Sequence, residues 1–180
     1  MKRFSPTLAR VVACLALAAA AIGAPASVSV SSAASPVTTP TSGPLSKPPK
    51  IRVPAGPPSG KLVKIHLVKG TGAVVAASDI VTINQVIARY NGKVLQSTFT
   101  SGRPLTEGLS AAQVIPGLIK GLTGARVCSR IELIIPAKLA DEPPSGQPAT
   151  KTTFIYVVDV LAVQSLSGGP SHLCGSNSKP

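Results

Sequence analysis

Aromatic residues are nearly absent from this sequence. Tyr, Phe and Trp make up 3% of its 180 residues, and tryptophan does not occur. Hydrophobic residues still amount to 44%, so the sequence predicts a core of aliphatic side chains. Proteins that bind single-stranded nucleic acids place aromatic rings among their basic residues as stacking platforms. Because no such interleaving occurs here, we expect no nucleic-acid partner.

Acidic residues are also few, with six Asp and Glu against 18 Lys and Arg, for a formal net charge of +12. Lys2, Arg3 and Arg10 lie in the leader described below, and without them 15 basic residues and a net charge of +9 remain. Such a balance attracts anionic polymers. The charges are spread singly along the chain, which indicates a solvated surface that associates loosely with anionic cell-wall polymers.

The sequence has no apolar run of the 20 or so residues that span a bilayer. Residues 1–26 have the anatomy of an export signal, with a basic start, an apolar run over residues 11–23 and the small residues Ala24-Pro25-Ala26 for cleavage. We therefore expect a secreted or extracytoplasmic protein without a membrane span. The Ser, Pro, Thr and Ala of residues 27–60 predict a disordered or polyproline-like spacer.

Cysteine and histidine are too few for most metal sites. His66 and His172 have no carboxylates or thiols at metal-ligand spacing, so no metal and no cofactor are expected. Cys14 falls in the leader, which leaves Cys128 and Cys174 after cleavage. Outside the cytoplasm such a pair favours a disulfide, with two free thiols as the alternative.

The domain proper is expected over residues 61–163, followed by a tail over 164–180. Alternation and turn residues predict a hairpin at Asn91-Gly92, a short helix from Pro116 and a loop over 137–150, together with strands over residues 61–68, 80–90, 93–98, 130–135 and 152–163. This is an α+β domain, an antiparallel sheet with one short helix across one face.

The first predicted strand is amphipathic. Val63, Ile65 and Leu67 alternate with Lys64 and His66. We expect the three apolar side chains to face the core.

The helix at Pro116 has an unusual composition. Proline suits the first helical position, because its fixed φ is helical and its missing N–H would be unpaired there anyway. Gly117 and Gly121 each cost about 1 kcal/mol relative to Ala in a helix. We infer that another element approaches the backbone closely at these two glycines.

Several motifs follow one another in the order and spacing of a known family. They are Val81-Thr82-Ile83, the run from Asn91 to Thr98, Gly102-Arg103-Pro104-Leu105, Gln113-Val114-Ile115-Pro116-Gly117 with Gly121-Leu122, Leu133 to Pro136, and Phe154 to Leu161. Over about 100 residues the chain resembles the FKBP-type peptidyl-prolyl cis-trans isomerases. The resemblance implies an antiparallel half-barrel sheet wrapped around one short helix, with an apolar active-site pocket between them.

The resemblance also implies a set of site residues. Ile115, Gln96 and Tyr156 take catalytic positions, and the Ile115 backbone N–H is the expected donor to a substrate carbonyl. The residues implied to bind substrate are Gln85, Leu95, Leu105, Val114, Ile115, Leu118, Asp141 and Tyr156.

Several of these positions differ from the family pattern. Gln85 and Asp141 stand where the family has Tyr, Leu118 replaces the Trp floor, and Leu105 replaces a Phe. Leu95-Gln96 replaces a Phe-Asp pair, and Tyr156 stands where Phe is usual. The pocket is therefore expected to be aliphatic.

Rotation about an Xaa-Pro bond takes tens to hundreds of seconds unassisted, and a pocket that binds the twisted amide best lowers this barrier. The expected function is thus that of an exported prolyl isomerase that helps secreted or cell-wall proteins fold. The alternative is a non-catalytic binding or chaperone module that keeps the apolar pocket without turnover. Either would bind proline-containing polypeptide segments as a monomer. The lining residues could also be plain core residues around a collapsed pocket.

Overall fold

The computed structural model describes residues 37–40, 42–140, 151–166 and 171–174. The predicted leader, Asp141 and the rest of its loop, and most of the tail lie outside these residues. The described elements, in chain order, are β1 Val63–Val68, β2 Ile80–Arg89, β3 Val94–Ser97, α1 Thr98–Ser101, β4 Leu105–Gly108, α2 Pro116–Leu122, β5 Arg130–Ile135, α3 Ala137–Ala140, β6 Phe154–Gln164 and β7 His172–Leu173.

The strands form one antiparallel sheet in the order β1-β5-β6-β2-β3. Strand β4 pairs with the first half of β2, beside β3, and β7 pairs with the end of β6. The predicted α+β class with an antiparallel sheet around a short helix is confirmed. Strand β4 and the single turns α1 and α3 are not in the sequence prediction, because four residues are too few to show a period.

Helix α2 lies on one face of the sheet, as predicted. Pro116 occupies its first turn, and Leu118 and Leu122 are buried. A Cβ added to Gly117 would lie 2.3 Å from Ile135 Cγ2, and one added to Gly121 would lie 2.4 Å from Leu133 Cδ1. The close approach inferred from the two glycines is therefore confirmed, and the approaching element is β5.

Strand β1 is turned the other way from the prediction. Ile65 and Leu67 are 42% and 40% exposed, whereas the Lys64 ammonium lies on the α2 side and donates to the Thr123 carbonyl at 3.1 Å. That carbonyl belongs to the last turn of α2, where a cation is favoured by the helix dipole. Burial lowers the pKa of Lys64. The expectation of inward apolar residues was wrong for Ile65 and Leu67, whereas Val63 is partly buried. Alternation reveals two faces without showing which one is covered.

The second face of the sheet is also buried. Asn84, Asp159 and Arg130 lie side by side across β2, β6 and β5 and are each at most 8% exposed. Arg130 forms a two-bond ion pair with Asp159, with distances of 2.5 and 2.7 Å. These side chains are buried, so another part of the chain must cover this face of the sheet.

The cover includes residues 37–40 and 42–53, which we call the strap. Thr39 Oγ1 accepts a hydrogen bond from Asn84 at 2.7 Å, and the Lys47 carbonyl accepts one from Arg130 Nη2 at 2.8 Å. Leu45 is 4% exposed. The strap has no regular secondary structure, but at these points it is packed on the domain, unlike the free spacer expected over residues 27–60.

Cys128 and Cys174 form a disulfide, with their Cα atoms 5.1 Å apart. The Cys174 N–H also donates to the Leu161 carbonyl at 2.6 Å. These contacts fasten β7 to the end of β6. Among the described residues, no helix is long and apolar enough to cross a membrane.

Candidate functional site

A cleft of about 180 Å³ opens where the segment entering α2 meets the sheet. Clefts that enclose drug-sized ligands measure about 300–1,000 Å³, so this one suits a single side chain. Its walls are mainly aliphatic, and its lining residues are Ile83, Gln85, Ile87, Glu107, Gln113, Val114, Ile115, Leu118 and Tyr156.

The turn into α2 presents an unused backbone donor to this cleft. Ile115 is extended, with φ −63° and ψ 148°, because the residue before a proline is disfavoured in the helical region. Its carbonyl accepts the N–H groups of Leu118 and Ile119 at 3.0 and 3.3 Å. Its own N–H has no hydrogen-bond partner within the described part of the chain. A bound carbonyl can therefore accept this N–H.

Two amide side chains and one carboxylate add polarity to the lining. Gln85 is 7% exposed, and its Oε1 atom has no partner among the residues described. Gln113 is fixed, since its Oε1 accepts the Gly108 N–H at 2.7 Å. Glu107 lies opposite Val81 on β4 and is the only acidic residue among the described residues that line the cleft.

Tyr156 supplies the aromatic ring of the cleft. It lies opposite Ile87 across the β2–β6 ladder and is partly buried. Burial raises the pKa of its hydroxyl, so the phenol stays neutral at physiological pH and can act as a hydrogen-bond donor.

The structure brings together five of the residues implied by the family resemblance, namely Gln85, Val114, Ile115, Leu118 and Tyr156. Leu105 lies just beside them, opposite Ile83 and packed against the core. Asp141 lies outside the described residues.

Leu95 and Gln96 are not in the lining. Gln96 pairs with Ile87, but the register then shifts so that Ala88 pairs with Val94. Leu95 is the extra residue of this bulge and is 46% exposed. A bulge redirects side chains, which the sequence pattern does not reveal.

Four lining residues were missed by the sequence analysis: Ile83, Ile87, Glu107 and Gln113. The first two share the face of Gln85, because alternate residues of β2 point the same way. That period could have found them. Glu107 lies on the unpredicted strand β4.

The arrangement favours non-covalent chemistry. It offers an aliphatic floor, one backbone N–H, two amides and a neutral phenol. No group of three metal-ligating side chains occurs in the part of the chain that the structure describes. The cleft can take up a small apolar ring and hydrogen-bond the polar groups beside it.

Comparison with known proteins gives matches to one family, both for the family model and for individual relatives. The family model of the FKBP-type peptidyl-prolyl cis-trans isomerases matches residues 72–161, which include every lining residue of the cleft. The chain is 35% identical over 119 residues to the FK506-binding protein of Streptomyces anulatus, covering 64% of this chain and 96% of that protein.

Two longer relatives match over the same region. The outer membrane protein MIP of Legionella longbeachae is 35% identical over 109 residues, covering 59% of this chain and 46% of the relative. The crystal structure of FkpA from Escherichia coli matches with a TM-score of 0.50 and 31% identity, covering 58% of this chain and 48% of that one. This chain thus spans less than half the length of either relative.

Proposed function

This chain belongs to the family of FKBP-type peptidyl-prolyl cis-trans isomerases, and we propose that it is itself an exported prolyl isomerase that works at the α2 cleft. The observation that carries the proposal is the unpartnered N–H of Ile115 at an apolar cleft of single-ring size. Its substrates are proline-containing polypeptide segments.

The proposed mechanism needs no covalent step. The proline ring enters the cleft between Val114, Leu118 and Tyr156, and the Ile115 N–H donates to a substrate carbonyl next to it. Removal of water weakens the amide resonance that holds the bond planar. A cleft that binds the twisted amide better than either planar form accelerates rotation tenfold for each 1.36 kcal/mol of preference.

Two further polar groups support the twisted form. Tyr156 donates to a substrate carbonyl, and Gln96 assists from the exposed edge opposite Ile87. The buried Gln85 Oε1 accepts a substrate N–H, which removes its own desolvation penalty of about 1–3 kcal/mol. These roles orient the peptide around the ring.

We propose that the protein acts outside the cytoplasm. The leader anatomy of residues 1–26 supports export, and one relative is by name an outer membrane protein. Its role there is to assist folding of secreted or cell-wall proteins as a monomer, with loose attraction to anionic wall polymers.

A second candidate is a binding module without turnover. It is favoured by the aliphatic floor at Leu118 and by the outward position of Leu95, since flat aromatic walls would fix a proline ring more firmly. Restoring an aromatic floor with Leu118→Trp should raise the rate of a weak isomerase. It should not create turnover in a pure binder.

The experiment is the refolding of a protein whose slow phase is limited by a native cis-proline. We expect the chain to accelerate this phase catalytically at substoichiometric amounts, and Val114→Lys, which places a charge in the cleft, to abolish the effect. Acceleration by both proteins alike, or none by the folded wild type, would contradict the proposal.

A further inference from the structure

A second cavity, of about 280 Å³, lies at the other end of α2. The cleft described above, which we call the prolyl cleft, includes the residues just before α2, whereas this cavity includes Gly124 and Arg126, which follow the helix. We call it the basic cavity. Its lining residues are His66, Lys69, Gly70, Gly124, Arg126 and Ser129.

The walls of the basic cavity are held firmly. The Gly72 N–H donates to Val127 at 3.1 Å, and the Val127 N–H donates to Ala73 at 2.9 Å. A Cβ on Gly70 would lie 2.3 Å from the Val127 carbonyl oxygen, so only glycine lets the two segments approach this closely. The donors above them are therefore carried on fixed backbone.

Among the described residues, the lining carries positive charge and no acidic side chain. The ion pair recorded for the described residues joins Arg130 to Asp159, so Lys69 and Arg126 have no carboxylate partner there. Arg126 donates through Nη1 to the Gly72 carbonyl at 3.1 Å. This bond orients the guanidinium and leaves its other N–H groups for a ligand.

Ser129 gives the second observation. The residue is 1% exposed, and its hydroxyl has no hydrogen-bond partner within the described chain. An unpartnered buried hydroxyl costs stability. Ser129 lines the basic cavity, so a ligand oxygen that reaches this hydroxyl from the cavity would satisfy it.

We propose that the basic cavity binds a phosphate group. The residues that line it, on the two stretches 66–70 and 124–129, carry a guanidinium, an ammonium, an imidazole and a hydroxyl. A phosphate has enough oxygens to meet all four, whereas a carboxylate has two. No aromatic ring lines the cavity within the part of the chain that the structure describes, which disfavours nucleic acid, whose bases stack on such rings, as the source. The phosphate comes either from a free phosphate or monoester, or from the phosphodiesters of an anionic polymer.

The test is a titration of the full chain with inorganic phosphate at constant ionic strength, followed by the backbone amide signals of Gly70 and Gly124. We expect saturable shifts at these glycines in wild type. In Lys69→Gln and in Arg126→Gln, the affinity for phosphate should fall about tenfold or more relative to wild type. Ser129→Ala should weaken binding severalfold. Lys93→Gln removes an equal charge from an exposed site on the β2–β3 turn and should change the affinity less than about twofold.

The same titration with a short glycerol-phosphate oligomer identifies the source. Tighter binding of the oligomer, still lost in Lys69→Gln, assigns the site to a polymer, and preference for inorganic phosphate assigns it to a small phosphate. The proposal is overturned if wild type shows no saturable shift, if Ser129→Ala binds as well as wild type, or if Lys93→Gln weakens binding as much as Lys69→Gln. None of these outcomes bears on the prolyl cleft, which shares no residue with the basic cavity.

Discussion

Single residues decide what the prolyl cleft accepts. In the proposed mechanism, Val114, Leu118 and the Ile115 N–H supply the parts that any prolyl substrate would use. Glu107 is different, because it places a negative charge at the cleft of a strongly basic protein. In the proposed isomerase, such a charge would discriminate between substrates by what lies beside the proline.

Glu107 should favour substrates with a basic residue next to the proline. In Glu107→Gln, the ratio of kcat/KM for Ala-Lys-Pro-Phe over Ala-Glu-Pro-Phe should fall about two- to fivefold, the range expected for a partly exposed charge pair. Added salt should reduce the ratio in wild type. If the variant changes kcat/KM for both peptides equally, Glu107 does not select by charge.

Glu132 should make the chain less stable as the pH rises. Burial raises the pKa of its carboxyl above the ordinary 4.5, and the charge of Arg52 opposes the shift. The folded chain therefore holds this proton more tightly than the unfolded chain, and the free energy of unfolding falls as the pH rises from 4.5 through the raised pKa.

Urea unfolding of wild type and Glu132→Gln at pH 4 and pH 7 measures this effect. Glutamine resembles the neutral acid, so the stability of the variant relative to wild type should be greater at pH 7 than at pH 4. Burial also raises the pKa of Asp159, but both proteins share that residue, so its effect cancels. A difference that is constant with pH would refute the assignment.

At the scale of elements, α2 and the strap cover opposite faces of one sheet. The helix achieves this through two glycines that let β5 approach. The strap does so through one buried leucine and hydrogen bonds to Asn84 and Arg130. Each contact makes a separate prediction for stability.

Gly121→Ala should destabilise the fold although alanine favours helices. Its Cβ would lie 2.4 Å from Leu133 Cδ1, and overpacking of this kind costs about 1–3 kcal/mol. Gly60→Ala has no atom within 4 Å of its new Cβ and serves as the matched control. Thermal unfolding of the two variants compares them, and a Gly121→Ala protein as stable as wild type would mean that β5 does not approach the helix so closely.

Leu45→Ala should cost roughly 2–5 kcal/mol, the range for a buried leucine. Leu166→Ala is the control, because Leu166 is 67% exposed and surface changes stay within about 0.5 kcal/mol. Denaturant unfolding distinguishes the two substitutions. Equal, near-zero effects would mean that residues 42–53 form a loose spacer after all.

At the scale of the whole molecule, the sequence predicted the features that depend on residues close together in the chain. Pro116 and its two glycines predicted the position of α2 and its close contact with another element. The face of β1 could not be predicted, because alternation does not show which face other elements cover; in the structure Lys64 lies on the α2 side and bonds to the end of the helix. The strap resembles a spacer in composition because its packing depends on one leucine, one threonine hydroxyl and one backbone carbonyl.

The same distinction applies to the prolyl cleft. Val114 and Ile115 were implied by the family resemblance of the motif next to Pro116, and both line the cleft. Leu95 was implied by alignment with the family, but a bulge in β3 turns it outward. Glu107 was missed because β4 has four residues. Contacts that depend on register or on tertiary pairing leave no periodic trace in the sequence.

The central claim is that the α2 cleft catalyses rotation about Xaa-Pro bonds. The most direct test is exchange NMR of the peptide Ala-Leu-Pro-Phe with and without the purified chain. We expect faster cis-trans exchange with wild type and a return to the uncatalysed rate with Val114→Lys, while the basic-cavity variant Lys69→Gln stays active. Unchanged exchange with folded wild type would contradict the claim.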